Sequence, residues 1–251
     1  MDAFQRVSCL VFLSLAGVAY AQSQSENTVP TVEAILTHME QARAENRASL
    51  RPYTVTRDYR LSGKENSAES EVIADVTFVP PNVKHFAIED VSGKGMGEKI
   101  VRQMLEHEME LVRNYSSTEI STANYDFRYI GEEDMGGEWC YVLELLPLRK
   151  EKNLLRGKIW VDTKTYLLHR AEGEPAKAIS RWLRDVRIAL VYANVGGMWL
   201  QTTSESTANV RILGEHTMLS RDLGYKISEP IAAAGTLAAG PATASARADL
   251  Q

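Results

Sequence analysis

The side chains that could carry chemistry are five histidines, two cysteines and several clustered carboxylates. His38, His85, His107, His169 and His216 are scattered, and no two stand at metal-ligand spacing. The run EHEME (106–110) has His followed by Glu, but it lacks the second His four residues on that a helical zinc site needs. Neither a metal nor a cofactor is expected. A Gly-x-Ser-x-Gly elbow is absent from the sequence. Cys140 could serve a hydrolase as a nucleophile with a distant His. Its flanks, EWCYVLELL, place it inside a strand, whereas a reactive thiol needs an accessible, electropositive setting. The acids Glu132, Glu133 and Asp134 fall in an expected turn between Gly131 and Gly137, where solvated carboxylates lack the desolvation that acid–base work requires. Gly93, Gly95 and Gly97 resemble a phosphate loop only in glycine content, since no Lys-Ser/Thr pair follows. The chain is read as non-catalytic.

The stretch GKIWVDTKTYLLHRAE (157–172) puts an acid, a Trp and a His within a dozen positions. Strand parity resolves it into a hairpin. Ile159 and Val161 point one way, Trp160 and Asp162 the other. Asp162 opens the turn, because Asp side chains accept bonds from backbone amides nearby. Leu167, His169 and Ala171 are expected to share a face on the returning strand, which gives the His a place in a wall.

The elements that would hold such a wall follow from hydrophobic period. Val32, Ile35, Leu36, Met39 and Ala42 share one face of a helix that Thr31 can cap, with Glu33 in its first turn. This helix should fade before Pro52. The period then becomes two in YTVTRDYRL (53–61), EVIADVTFVPP (71–81) and NVKHFAIED (82–90), which predicts a meander. A second helix is expected within 93–114, with Ile100, Met104 and Leu105 at helical spacing. Alternation resumes after residue 120 and continues to about 228, and Asn194-Val195-Gly196-Gly197 supplies a hairpin turn. Nine to eleven strands joined by short turns favour an antiparallel barrel or a strongly curved sheet.

At the amino end, an apolar run from Val7 to Val18 is followed by Ala19-Tyr20-Ala21 and a polar Gln22. That is a cleaved secretory signal peptide over 1–21, too short to span a bilayer. Residues 22–30 read as a flexible linker, 31–228 as one domain and 229–251 as a disordered tail of small residues. The net charge of −5 argues against nucleic acid as a partner. After cleavage Cys140 is the sole cysteine and cannot form an internal disulfide.

NYDFRYIGEE (124–133), CYVLELLPLRKEKNLLRGKIWVDTKTYLLHRAEGEPAK (140–177) and VGGMWLQTTSES (195–206) together resemble the outer-membrane lipoprotein-sorting proteins of the LolA/LolB-like superfamily. The likeness runs over about 31–228. The resemblance implies an α+β fold, mainly antiparallel β: a half-open, incomplete β-barrel with helices covering its mouth. It implies a periplasmic binder or carrier of lipid or lipoprotein acyl chains. The alternative is an envelope sensory module that binds a membrane-associated protein partner. The expected hydrophobic lining is Ile159, Val161, Leu167, Val186, Ile188, Leu190, Met198 and Leu200 from strands, facing Ile35, Met39 and Met104 from the helices. The same residues could instead close a dry core.

Overall fold

The computed structural model describes residues 30–63, 68–93 and 96–228. The readings of 1–21, of most of 22–30 and of 229–251 lie outside the described residues. Among the described residues, the unit that begins at Thr31 is mainly β, with two α-helices. Helix α1 (Val32–Ser49) starts where Thr31, with extended backbone, accepts the Ala34 amide on its hydroxyl at 3.3 Å. Three strands follow: β1 (Tyr53–Ser62), β2 (Ala68–Val79) and β3 (Val83–Gly93). Helix α2 (Gly97–Arg113) comes next, then a short 3-10 turn at Tyr115–Ser117. The remaining strands are β4 (Tyr125–Asp134), β5 (Trp139–Pro147), β6 (Leu155–Asp162), β7 (Leu168–Pro175), β8 (Leu183–Val195), β9 (Met198–Val210) and β10 (Gly214–Ile227).

All ten strands form one sheet in the order β3-β2-β1-β10-β9-β8-β7-β6-β5-β4, with every pair antiparallel. β3 and β4 remain as unpaired edges, so the sheet is an open half-barrel and not a closed one. α1 packs on β4 and β9, and α2 on β2 and β3. No described helix is long and apolar enough to cross a membrane.

The acids at 132–134 correct the expected turn. Gly131, at φ 158°, is extended backbone at a bulge, so β4 runs on through Asp134. The reversal is made by Gly136 and Gly137, whose φ values of 83° and 101° suit glycine. Glu133 accepts the Trp160 indole N–H at 2.8 Å, and Asp134 Oδ1 accepts the Gly137 amide. At the next hairpin, Asp162 Oδ1 accepts from the Lys164 amide, the Thr165 amide and the Thr165 hydroxyl. Asp162 is thus a turn residue, as its type and position suggest.

Candidate functional site: the inner face of the sheet

Two apolar clusters lie on one face of the sheet. One holds Ile35, Tyr125, Tyr141, Leu143, Leu145, Ile159, Val161 and Ala171, beneath α1. The other holds Val55, Tyr59, Val72, Ala74 and Val76 with Val101 and Leu105 of α2. Strand register joins them. One cross-strand row runs Leu143–Ile159–Ala171–Leu190–Ser204–Ser220–Tyr59–Val72. The row beside it runs Leu145–Gly157–Gly173–Ile188–Ser206–Met218–Leu61. Directly paired residues share a face, so both rows belong to this inner face.

The middle of these rows is built from small side chains: Ala171 and Gly173 on β7, Ser204 and Ser206 on β9, Ser220 on β10. From β7 to β1 the strip crosses four strand spacings, roughly 19 Å. The apolar residues that stand in it or along it, Ile188, Leu190, Met218 and Leu61, are only half-buried. This is a strip of small and half-buried side chains between the two clusters, with hydroxyls at its centre. At its β6–β7 side the two strands approach too closely for a side chain. A Cβ on Gly157 would lie 1.9 Å from the Glu172 carbonyl oxygen, and one on Gly173 would lie 2.1 Å from that of Arg156.

A buried ionic network bounds the strip on the α2 side. Arg57 donates from Nε to Asp222 Oδ1 at 2.6 Å, with side chains 9% and 2% exposed. Its Nη1 lies 3.4 Å from Glu108 of α2, and Lys84 of β3 also holds Glu108, at 2.5 Å. The Tyr225 hydroxyl donates to the second Asp222 oxygen. Burial works to raise the Glu108 carboxyl, but Lys84 and then Arg57 overrule it and leave it below its ordinary value. Burial likewise opposes the Arg57 charge, yet Glu108, Tyr59 and Asp222 hold it well above its ordinary value. Tyr53 and Tyr59, desolvated beside this network, are both pushed up to about 12. The Tyr59 hydroxyl is buried beside the Arg57 guanidinium and makes no well-formed hydrogen bond among the described residues.

On the other side, α1 is fixed where the sheet splays. β9 and β10 pair only as far as Thr203 and Arg221, and β10 continues along β1. The free β9 backbone is taken up by Asn46 of α1. Its amide donates to the Trp199 carbonyl at 2.9 Å and accepts the Trp199 N–H at 2.7 Å. The segment after α2 clamps the helix from outside. Glu119 bridges Arg43 at 2.9 Å and Arg47 at 2.7 Å, and the Arg47 guanidinium lies 5.0 Å from the Tyr115 ring.

The residues expected to line a hollow fall into several places. Ile35, Ile159 and Val161 are fully buried in the α1 cluster, and Met39, Ile188 and Leu190 pack against it. Met104 packs against the α2 cluster. Leu167 lies in the turn before β7, while Leu168 packs into the cluster, because Val161 pairs with Leu168 and Trp160 with Arg170. That bulge takes His169 out of register, and its Nε2 stands 3.1 Å from Glu138. Val186 sits in a second bulge and lines a polar groove of 640 Å³ over β6–β9, among Lys158, Arg170, Glu172, Arg187 and Glu205. Met198 and Leu200 are buried but belong to neither cluster, since an extra residue at Thr202 turns them away from Leu190. Sequence reasoning did not single out Ser204, Ser206, Ser220, Arg57 or Asp222. The signal for the last two was an Arg and an Asp at strand positions whose neighbours Val55, Tyr59 and Tyr225 are apolar or aromatic.

Cys140 is fully buried, and burial, then Asp162 and the acids around it, push its thiol up to about 12. The thiolate, which is the nucleophilic form, is thereby disfavoured. No group of three or more His, Cys, Asp or Glu able to hold a metal occurs among the described residues.

A family model described only as an uncharacterized protein matches residues 111–227. No curated protein matches the chain. Among solved structures, a DUF1329 family protein from Desulfovibrio piger is 15% identical, with 79% of this chain and 94% of that one covered at a TM-score of 0.43. A domain described as a candidate outer membrane lipoprotein-sorting protein, from Vibrio parahaemolyticus, is 13% identical, with 78% and 93% covered at 0.42. A LolA superfamily protein from Nitrosomonas europaea is 12% identical, with 80% and 96% covered at 0.36. At these scores none of the three fixes a role. Solved structures to which the chain is similar thus include DUF1329, lipoprotein-sorting and LolA superfamily proteins.

Proposed function

We propose that the protein is a non-catalytic binder or carrier of lipid or lipoprotein acyl chains, working in the periplasm after removal of the signal peptide read at 1–21. The observation that carries this reading is the strip of small and half-buried residues between the two clusters. Ile188, Leu190, Met218 and Leu61 stand around a floor of Gly, Ala and Ser, where a packed core would place large side chains. Apolar concave surface with a few placed polar groups is what a small-molecule site requires. The buried Tyr59 hydroxyl, in the same row as Ser220 and Ser204 and beside Arg57, could meet the polar end of such a ligand. Of the residues expected to line the hollow, Ile188 and Leu190 border this strip, which supports the reading.

The test is a titration with a fluorescent fatty acid, such as a dansyl-labelled undecanoate, followed by displacement with palmitate. Binding at micromolar affinity or better is expected, weakened about tenfold by Ser204→Trp with the melting temperature held. A chain that binds no acyl probe, or a Ser204→Trp variant that binds as well as the parent, would overturn the reading.

A further inference from the structure

The β9–β10 hairpin ends in a turn whose chemistry is the reverse of what stability would select. Leu213 donates its amide to the Val210 carbonyl at 3.0 Å, so Arg211 and Ile212 are the central turn residues. Ile212 has φ +79°, the left-handed region where a β-branched residue is a genuine outlier and glycine is the ordinary occupant. Its side chain is 90% exposed, so no packing compensates for the strain. Leu213 beside it is 65% exposed. The start of β8 lies against this tip: Arg211 donates its amide to the Trp182 carbonyl at 2.9 Å, and its guanidinium stands 5.8 Å from the Trp182 ring. Trp182 is itself 59% exposed, and Ile179 just before it is 37% exposed. Residues 176–184 (AKAISRWLR) and 209–214 (NVRILG) carry Lys177, Arg181, Arg184 and Arg211 and no acid, in a chain whose net charge is −5. All four cations are exposed. Asp185 and Glu215 lie one step back, on either side of the Arg184–Asn209 pair.

We infer that this tip is a docking point for an anionic lipid bilayer. Ile212, Leu213 and Trp182 enter the headgroup–acyl boundary, and Lys177, Arg181, Arg184 and Arg211 meet the lipid phosphates. A Trp belongs at that boundary, where its ring is apolar and its N–H remains wet. Apolar side chains ringed by cations bind by buried area plus attraction to anionic lipid, so the contact should be salt-sensitive and reversible. Strain held on an exposed apolar residue indicates a function for that residue outside the fold. The inference does not depend on acyl binding along the strip.

The experiment is flotation of the full mature chain with phosphatidylglycerol/phosphatidylethanolamine vesicles and with phosphatidylcholine vesicles, at low and high salt. Binding to the anionic vesicles is expected to exceed binding to the neutral ones at least tenfold, and to fall with salt. Ile212→Gly combined with Leu213→Ser should lower it at least tenfold while the melting temperature holds or rises, because the strain is relieved. Arg181→Gln with Arg211→Gln should remove most of the salt-sensitive part. Equal binding by the Ile212→Gly/Leu213→Ser variant overturns the inference. So does failure of the parent chain to float with either vesicle, whether or not it captures a protein partner or an acyl probe.

Discussion

Replacing Arg57 by Met would take the centre out of the ionic network that fastens α2 to the sheet. Arg57 is the only cation within 4 Å of Asp222 among the described residues, and the Asp222 side chain is 2% exposed. The Tyr225 hydroxyl would remain on that carboxylate, while Glu108 would keep Lys84 at 2.5 Å. Breaking a buried pair by removing one partner leaves an uncompensated buried charge and costs about 3–5 kcal/mol. For a domain of this size each kcal/mol lowers Tm by about 2–4 °C, so a fall of roughly 6–20 °C is expected. The double variant Arg57→Met/Asp222→Leu removes both charges and should recover most of the loss, because apolar replacements of a buried pair are often neutral or better. Urea unfolding of the four corners of this cycle, at one pH and salt, gives the coupling directly. A single-variant cost below 1 kcal/mol would refute the reasoning, since Asp222 would then be finding water. So would a double variant no more stable than Arg57→Met.

The depressed Glu108 carboxyl contributes stability that is present above its unfolded value of 4.5 and lost as pH falls through the lower folded value. Lys84→Gln removes the largest charge that depresses it, so the acid-unfolding limb should move to higher pH in a circular dichroism titration. Native Cys140 should resist alkylation at pH 8 and react once the chain is unfolded, with its thiol held up to about 12 by burial and the surrounding acids. Asn46→Ala deletes both bonds to the Trp199 peptide and should cost about 1–3 kcal/mol, seen as a lower urea midpoint. Gly157→Ala should lower the melting temperature, since a Cβ 1.9 Å from the Glu172 oxygen must displace backbone and overpacking costs about 1–3 kcal/mol.

Both helices, the strand count and the Asp162 hairpin were legible in the sequence, because local period and turn chemistry decide them. Thr31 caps α1, and Gly196 and Gly197, at φ 59° and 87°, turn β8 into β9. What parity could not show was where it breaks. Bulges at His169, at Asp185–Val186 and at Thr202 each change the face that a strand presents. They turn Leu200 away from Leu190 and place Leu168 where Leu167 was expected. A bulge is set by pairing with the next strand, and alternation within one strand does not reveal it. The ionic network was hidden for a similar reason. Arg57 shares the Tyr53–Val55–Tyr59 side of YTVTRDYRL, but only the register that sets it against Asp222 and under Glu108 gives it its partners.

The strip of small residues lies where neither of the two tied helices reaches. α1 is fixed over β4–β9 by Asn46 and by the Glu119 clamp, and α2 over β1–β3 by Glu108 between Arg57 and Lys84. Each helix carries its own apolar cluster. A sheet ten strands wide is broader than two helices can cover when each is about 10–12 Å across with its side chains. The strands left between them would ordinarily be filled by large side chains reaching across. Here they present Ser204, Ser206 and Ser220, which are too short to bridge the clusters. The arrangement makes a specific demand of any filling substitution. Ser206→Leu should raise stability if the strip is only an imperfect core, because it adds buried apolar area beside Ile188 and Met218. If the strip is a ligand trough, the same change should weaken acyl binding while stability rises or holds. Measuring both on one variant separates a poorly filled core from a site kept open.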